Sequence, residues 1–142
     1  MPRLAILNFA IGFFILFLAA SAGSFVAFDL TEAFLKDKTL LDDWQTVLLQ
    51  SAHGHTNMFG MLHILFGLTL AYSPLNARYL KLQTLGFFLG SLAMGPGMMI
   101  RAYAGPSESL DFIGSMIGIG LSASFVALFS HSAALFARFW YR

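Results

Sequence analysis

Three of the four histidines in this 142-residue chain, His53, His55 and His63, lie within one stretch without charged residues, residues 44–77. Burying an ionisable side chain in an apolar segment is costly, so each of these histidines is a candidate for function. Neutral imidazole is a common metal ligand and an axial ligand of haem iron. These residue types therefore point to metal or haem binding.

His53 and His55 are two positions apart, and their spacing limits what they can bind together. Residues two apart on an α-helix are rotated by about 200°, so the two side chains are expected on nearly opposite faces. One helix therefore cannot direct both imidazoles to a single metal ion. We expect each histidine to bind a different metal centre.

The face of the helix that carries His53 favours haem over a bare ion. It contains two glycines at helical spacing, which open a groove suited to a flat macrocycle. The uncharged stretches hold no Asp or Glu to complete a zinc site, and the chain has no cysteine for thiolate or iron–sulfur sites. Haem b, with its iron, is therefore the expected cofactor. The residues of this face are His53, Asn57, Gly60, Ile64 and Gly67.

The elements that position these histidines are predicted to be membrane helices. The chain is 58% hydrophobic and 11% charged, whereas a soluble domain has about 45–50% apolar and about 25% charged residues. Four stretches without charge are each long enough for a span, which needs about 18 residues or more. We predict an all-α fold, a single-domain integral membrane four-helix bundle. Its predicted spans are residues 4–28, 47–72, 80–102 and 110–138.

The charges between the predicted spans indicate the orientation. Lys and Arg flanking the spans stay on the cytoplasmic side, and one side of this chain carries more of them than the other. We therefore expect both termini to be cytoplasmic in a multi-pass protein of the bacterial inner membrane, with the lipid bilayer as its surroundings. A net charge of +1 without a basic stripe argues against nucleic acid as a partner. The cations on the cytoplasmic side are Arg3, Arg78, Lys81, Arg138 and Arg142.

The connections between the spans carry their own signals. Residues 29–43 carry apolar side chains among seven charges and are predicted to form a short amphipathic helix at the membrane interface, with Trp44 as an aromatic anchor. The short turn at residues 73–77 makes the second and third spans antiparallel neighbours.

Two sequence features inside the later spans predict their shape. Pro96 between two glycines should kink the third span, because proline removes one backbone hydrogen bond and its ring collides with the preceding turn. In the fourth span Gly114, Gly118 and Ser122 form a ridge of small side chains that allows another helix to come close.

The segment Ala52-His53-Gly54-His55 resembles the tenth helix of subunit I of the haem-copper oxidases, where Ala-His-aromatic-His supplies one axial ligand to each of two haems. The overlapping His55-Thr56-Asn57 is similar to the corresponding helix of nitric oxide reductases. In that family twelve helices form three arcs of four, and this chain has the length of one arc. It lacks the histidine pair of the copper site, and the first tyrosine after the motif is Tyr72, at the very end of the predicted span.

Taken with the opposed histidines, this resemblance implies a homotrimer. His53 of one protomer and His55 of the next would hold one b-type haem at each subunit interface. Iron with two histidine ligands has no open position, so electron transfer is the expected role. A quinol or another redox partner is the candidate electron donor, and whether the chain is also an oxidoreductase stays open.

Several side chains are expected to support such a haem. Arg101, at the end of the third span, is the candidate partner of the propionates, with an interfacial anchor as its alternative role. Trp44, Thr56 and Tyr103 are candidate hydrogen-bond donors at a similar depth.

Three alternatives remain at this point. His63 and His131 are predicted at similar depths, so they could share a haem or relay protons within one protomer. The haem could instead bind or reduce a gas such as nitric oxide or oxygen. The chain could also be a non-redox accessory or transport subunit whose histidines only join helices.

Overall fold

The computed structural model describes residues 3–36 and 44–140, and this part of the chain contains helices and turns but no strand. A 3₁₀ turn, Leu70–Tyr72, follows the second helix, and a π-helical turn, Ala93–Gly97, joins the third to the fourth. The five α-helices are α1 (Arg3–Lys36), α2 (Trp44–Thr69), α3 (Ala77–Leu92), α4 (Met98–Ala104) and α5 (Phe112–Trp140). The predicted all-α class is confirmed.

Three helical segments of the described chain are long and apolar enough to cross a membrane, namely Arg3–Phe25, Ala77–Ala104 and Phe112–Trp140. The second of these combines α3, the π-helical turn and α4 into one rod. With 26 residues α2 has the length of a span, but its histidines and amides lower its hydropathy, and it is not among the three.

Successive rods of the bundle run antiparallel. On α1 and α2, Gly12 faces Gly60 while Gly23 faces His53, so the two helices run in opposite directions. On α3 and α5, Gly86 faces Ala127, and Ala93, in the turn that follows α3, faces Gly120, again in opposite directions. We call the end of the bundle with Arg3 and Trp140 the terminal end, and the opposite end the far end.

The first helix is longer than its predicted span. It has 34 residues, about 51 Å at 1.5 Å per residue, and it continues without a break to Lys36, whose Nζ donates to Glu32 at 2.7 Å. Residues 29–36 of the predicted amphipathic helix are therefore the end of α1, because no glycine or proline interrupts them. Residues 37–43 of that prediction lie outside the described chain.

The predicted turn after α2 is confirmed. It joins α2 and α3 as antiparallel neighbours, and Asn76 caps the start of α3 because its Oδ1 accepts from the backbone N–H groups of Arg78 (3.1 Å) and Tyr79 (3.2 Å). Such a cap satisfies backbone donors that have no partner within the helix.

The kink predicted at Pro96 takes the form of the π-helical turn, which contains that proline. Widening the helix by one residue accommodates a ring that a regular α-helix could not hold without a clash. The turn lies against α2, since a Cβ on Gly95 would be 2.6 Å from Thr56 Oγ1.

Within the described chain, Gly118 of the predicted ridge of small residues on α5 has no helix against it. A Cβ on Gly118 would meet no atom within 4 Å, and Ser122 is exposed. The packed face instead passes through Gly120, where a Cβ would lie 2.7 Å from the Leu89 carbonyl oxygen. Gly118 and Gly120 are rotated by about 200°, so α5 meets α3 through the side opposite to Gly118.

Candidate functional site

His53 points at α1 within the same chain. Its imidazole lies so close to Gly23 that a Cβ there would be 2.3 Å from His53 Cε1. Asn57 Nδ2 donates to His53 Nε2 at 3.2 Å and to the His53 carbonyl at 3.1 Å, which puts the ring proton on Nδ1. His53 Nδ1 is buried without a hydrogen-bond partner among the described residues. Neither ring nitrogen of His53 is therefore free to bind iron in this conformation.

The glycine groove predicted beside His53 is filled by α1. A Cβ on Gly60 would lie 2.8 Å from Leu16 Cγ, and one on Gly67 would lie 2.8 Å from Phe9 Cε1. The two glycines thus open α2 to a neighbouring helix, since small residues in membrane bundles let backbones approach closely. A macrocycle could enter this groove only by displacing α1.

His55 points away from α1 and has a different arrangement. Its Nδ1 lies 2.8 Å from the Ser51 carbonyl oxygen and 3.3 Å from Ser51 Oγ. A carbonyl can only accept, so Nδ1 carries the proton and Nε2 keeps its lone pair. No described residue bonds Nε2, and the His55 side chain is half-buried. A histidine whose Nδ1–H is held by a carbonyl has the orientation and tautomer found in metal-binding histidines.

The imidazole of His55 lines a groove of about 430 Å³ formed by α2, α3 and α5, together with the π-helical turn. We call this the His55 groove. None of its lining residues is charged, and the hydroxyl of Ser124 donates to the Leu121 carbonyl oxygen at 2.8 Å. The other lining residues are Met58, Phe59, Leu62, Phe87, Met94, Phe125 and Leu128.

The predicted opposition of the two histidines is therefore what the structure shows. His53 faces α1, and His55 faces the groove on the side of α5. His55 fits an axial ligand of haem, because its side chain lines an apolar groove and no described residue bonds its Nε2. The surroundings of His53 do not fit that role unless the ring first leaves Gly23.

Arg101, the predicted propionate partner, has partners within the chain. Its guanidinium forms an ion pair with Asp111 and donates to the Gly105 carbonyl oxygen at 3.2 Å, and its side chain is 12% exposed. Asp111 also caps α5, accepting from the Gly114 N–H at 2.8 Å. The hydrogen bond from Arg101 lowers the pKa of the Asp111 carboxyl below its usual value. Arg101 thus holds the connection between α4 and α5 at the far end.

The other predicted donors are placed as follows. Thr56 is buried, and its hydroxyl donates to the Ala52 carbonyl oxygen at 2.7 Å, as helical threonines commonly do. Trp44 and Tyr103 are exposed, Tyr103 by 72%, near the far end of the bundle.

His63 lies in the interior of the terminal half and is fully buried, at 0% exposure. Its Nδ1 bonds Asn8 Oδ1 at 3.0 Å, and Asn8 Nδ2 in turn donates to Thr84 Oγ1 at 3.0 Å. This network joins α1, α2 and α3 through side chains. His63 Nε2 is buried without a partner among the described residues.

His131 joins α5 to two other helices. Its Nε2 bonds Thr69 Oγ1 at 2.9 Å, and its Nδ1 lies 3.3 Å from Gln83 Oε1. Gln83 Nε2 then donates to Ser130 Oγ at 2.8 Å. Both ring nitrogens of His131 are therefore occupied.

Two phenylalanine rings link His63 to His131 in a row. The ring centroids are 6.0 Å apart for His63 and Phe87, 4.9 Å for Phe87 and Phe66, and 4.6 Å for Phe66 and His131. A haem shared by the two histidines would have to displace both phenylalanines. The row of rings agrees with the prediction that these two histidines lie at similar depths.

Sequence reasoning missed three residues that arrange the histidines: Asn8, Gly23 and Ser51. Asn8 was detectable, because a polar side chain within an apolar span usually bonds another helix. Ser51 lies four residues before His55, within reach of an i to i−4 contact. Gly23 gave no signal, since its role depends on how α1 packs against α2.

The described residues contain no cluster of three or more His, Cys, Asp or Glu side chains suited to a metal ion. Any iron bound by His55 would therefore need most of its ligands from a cofactor. No protein-family model, curated protein or solved structure matches the chain.

Proposed function

We propose that this chain is a membrane b-type cytochrome in which His55 is an axial ligand of the haem. The observation that carries the proposal is the His55 side chain, which lines an apolar groove of about 430 Å³ with its Nδ1–H held by Ser51 and no bond from a described residue to its Nε2. Haem bound there would supply a one-electron redox centre. The role of the chain is then electron transfer within the bilayer.

The residues around His55 suit this role in two ways. Ser51 fixes the ring orientation through the Nδ1–H bond and raises the basicity of Nε2. The apolar lining keeps water from competing for the iron and favours a hydrophobic porphyrin over hydrated ions.

The proposal requires α2 to cross the membrane together with the three more apolar rods. Its 26 residues include no Asp, Glu, Lys or Arg, and it lies between α1 and α3 as their antiparallel neighbour. Many of its polar side chains already have partners inside the bundle, among them Thr56, Asn57, His63 and Thr69. A less hydrophobic helix can cross a bilayer when its neighbours satisfy its polar groups.

The homotrimer predicted from the sequence stays a prediction. For His53 to reach a haem on a neighbouring copy, its ring must turn away from Gly23 and give up the bond from Asn57. The free energy lost in that rotation would reduce the stability of the subunit interface at which His53 binds the haem.

The test is reconstitution of the purified full chain with haem b in detergent, followed by absorption spectra of the oxidised and reduced forms. We expect stable haem binding that His55→Ala abolishes. His53→Ala is the matched control, because it removes an imidazole two residues away on the opposite face. A wild-type protein that binds no haem, or a His55→Ala variant that binds it as well as wild type does, would overturn the proposal.

A second candidate function is binding of a gas such as nitric oxide or oxygen by the same haem. The surroundings of His53 favour this candidate. Its Nε2 accepts from Asn57 and its Nδ1 is buried, so His55 is the motif histidine that one protomer can offer to a haem. Iron with one protein ligand keeps an open position. A high-spin spectrum that shifts on addition of carbon monoxide would support this function over electron transfer.

A further inference from the structure

A groove of about 690 Å³ lies between α3 and α5, away from the histidines of α2. Its floor is the contact between the two helices, since a Cβ on Gly86 would lie 2.8 Å from the Ala123 carbonyl oxygen. Its walls include exposed apolar side chains, Leu82 by 54% and Val126 by 68%. Both helices belong to rods that are apolar enough to cross a membrane, so this α3–α5 groove opens to lipid.

The lining of the α3–α5 groove suits hydrocarbon. None of its residues is charged. Its amide and one of its hydroxyls are already bonded, because Gln83 Nε2 donates to Ser130 Oγ at 2.8 Å and the Ser130 hydroxyl donates to the Ala127 carbonyl oxygen at 3.0 Å. An acyl chain can therefore cover these groups without separating them from their partners.

The groove has the depth of one leaflet. On α3 it extends from Tyr79 to Leu89, which is about 15 Å at 1.5 Å per residue. The hydrocarbon core of a bilayer is about 30 Å thick, so one leaflet accounts for about 15 Å. An acyl chain that enters at the terminal end would reach the middle of the bilayer within the groove.

Two cations lie beside the groove where it meets the terminal end. Arg78 and Lys81 are exposed, and they lie four residues before Leu82 and Leu85, which line the groove. Residues four apart share a helix face. Helical side chains tilt toward the N-terminus of their helix, and α3 begins at the terminal end. Both cations therefore extend from the groove toward the level of the headgroups.

The acidic residues of the described chain lie at the opposite end of the bundle. Asp29 and Glu32 are near the end of α1, and Glu108 and Asp111 lie between α4 and α5. The described residues of the terminal end thus carry positive charge only. Basic positions between membrane helices bind anionic lipid headgroups, which supply the complementary charge.

We propose that the α3–α5 groove, with Arg78 and Lys81, binds an anionic phospholipid from the leaflet at the terminal end. One acyl chain lies in the groove, and the phosphate lies beside the two cations. A zwitterionic lipid fits the groove equally well but carries an amine that offsets its phosphate. The site goes beyond the proposed function and does not depend on haem.

The experiment is native mass spectrometry of the purified full chain in detergent, titrated with phosphatidylglycerol or phosphatidylcholine of identical acyl chains. We expect the wild type to bind phosphatidylglycerol more tightly. Arg78→Gln and Lys81→Gln should each weaken that binding about fivefold, the contribution of one cation near an anionic headgroup, and leave phosphatidylcholine binding unchanged. Arg3→Gln is the matched control, because it removes an exposed cation at the same end from α1, which packs on α2.

A second pair of variants tests the groove without changing any charge. Ser122 is exposed and lines the groove, so Ser122→Phe places a ring in the path of the acyl chain and should weaken binding of both lipids several-fold. Ser132→Phe is its control, because Ser132 is exposed on α5 and does not line the groove.

Four results would overturn the proposal. They are equal affinity of the wild type for the two lipids, loss of phosphatidylglycerol in Arg3→Gln as large as in Arg78→Gln, and unchanged lipid binding in Ser122→Phe. The fourth is a lipid-free oligomer that Ser122→Phe dissociates, since the occupant of the groove would then be a second copy of the chain.

Discussion

At the scale of single residues, the two motif histidines differ because of their immediate neighbours. Asn57 and Gly23 occupy the surroundings of His53, whereas Ser51 orients His55 and leaves its Nε2 free. Their types are identical and their positions differ by two. One hydrogen-bond partner and one helix contact thus separate a packed imidazole from one that the proposed haem could bind.

Gly23 offers a test of the packed state of His53. In Gly23→Ala the new Cβ would lie 2.3 Å from His53 Cε1, so the ring must move, and we expect a loss of about 1–3 kcal/mol in the free energy of unfolding, as for overpacked cores. Unfolding in mixed detergent micelles measures it. Gly54→Ala is the control, because nothing lies within 4 Å of a Cβ there. Equal stability of the two variants would contradict this contact.

At the scale of elements, close-packed glycines and hydrogen-bonded side chains connect the rods. Many of the large hydrophobic side chains are exposed at the bundle surface, as expected where lipid replaces water. Close backbone approach and polar contacts between helices then provide the specificity. At the far end, the ion pair between Arg101 and Asp111 also links α4 to the start of α5.

The face by which α5 packs on α3 can be tested with two glycines on opposite sides of α5. Gly120→Ala would bring a Cβ within 2.7 Å of the Leu89 carbonyl oxygen, a backbone atom that cannot rotate away, so we expect a loss of about 1–3 kcal/mol. Gly118→Ala meets open space and should be neutral or gain up to about 1 kcal/mol from helix propensity. The same unfolding assay serves both. The reverse order of stability would mean that α5 packs through the side that carries Gly118.

At the scale of the whole molecule, α2 lies at the centre of the bundle and contacts α1 on one side and the α3–α4 rod on another. This position explains how a helix with three histidines and two glutamines lies among more apolar ones. Its central place also shapes one groove, because the gap between α2 and α5 becomes the His55 groove.

The crossing of α2 can be tested by labelling, because the chain has no cysteine of its own. Single variants Glu32→Cys, Ser73→Cys and Ser107→Cys place one thiol after α1, α2 and α4 respectively. We expect an impermeant maleimide to reach the first and third from outside, and Ser73→Cys only after the membrane is opened. If Glu32→Cys and Ser73→Cys react from the same side, α2 does not cross.

The sequence by itself determined the helical class, the turn before Asn76, the position of the irregularity at Pro96 and the opposition of His53 and His55. Each follows from local rules: helical periodicity, capping, the missing proline N–H and the lack of charge along the spans. The tertiary structure alone decided which face of each helix is covered. Gly60 and Gly67 receive α1 in place of a macrocycle, and α5 packs through Gly120 instead of Gly118. Such choices depend on contacts between residues far apart in the chain, and in an apolar sequence hydrophobic periodicity cannot distinguish a face that meets lipid from one that meets another helix.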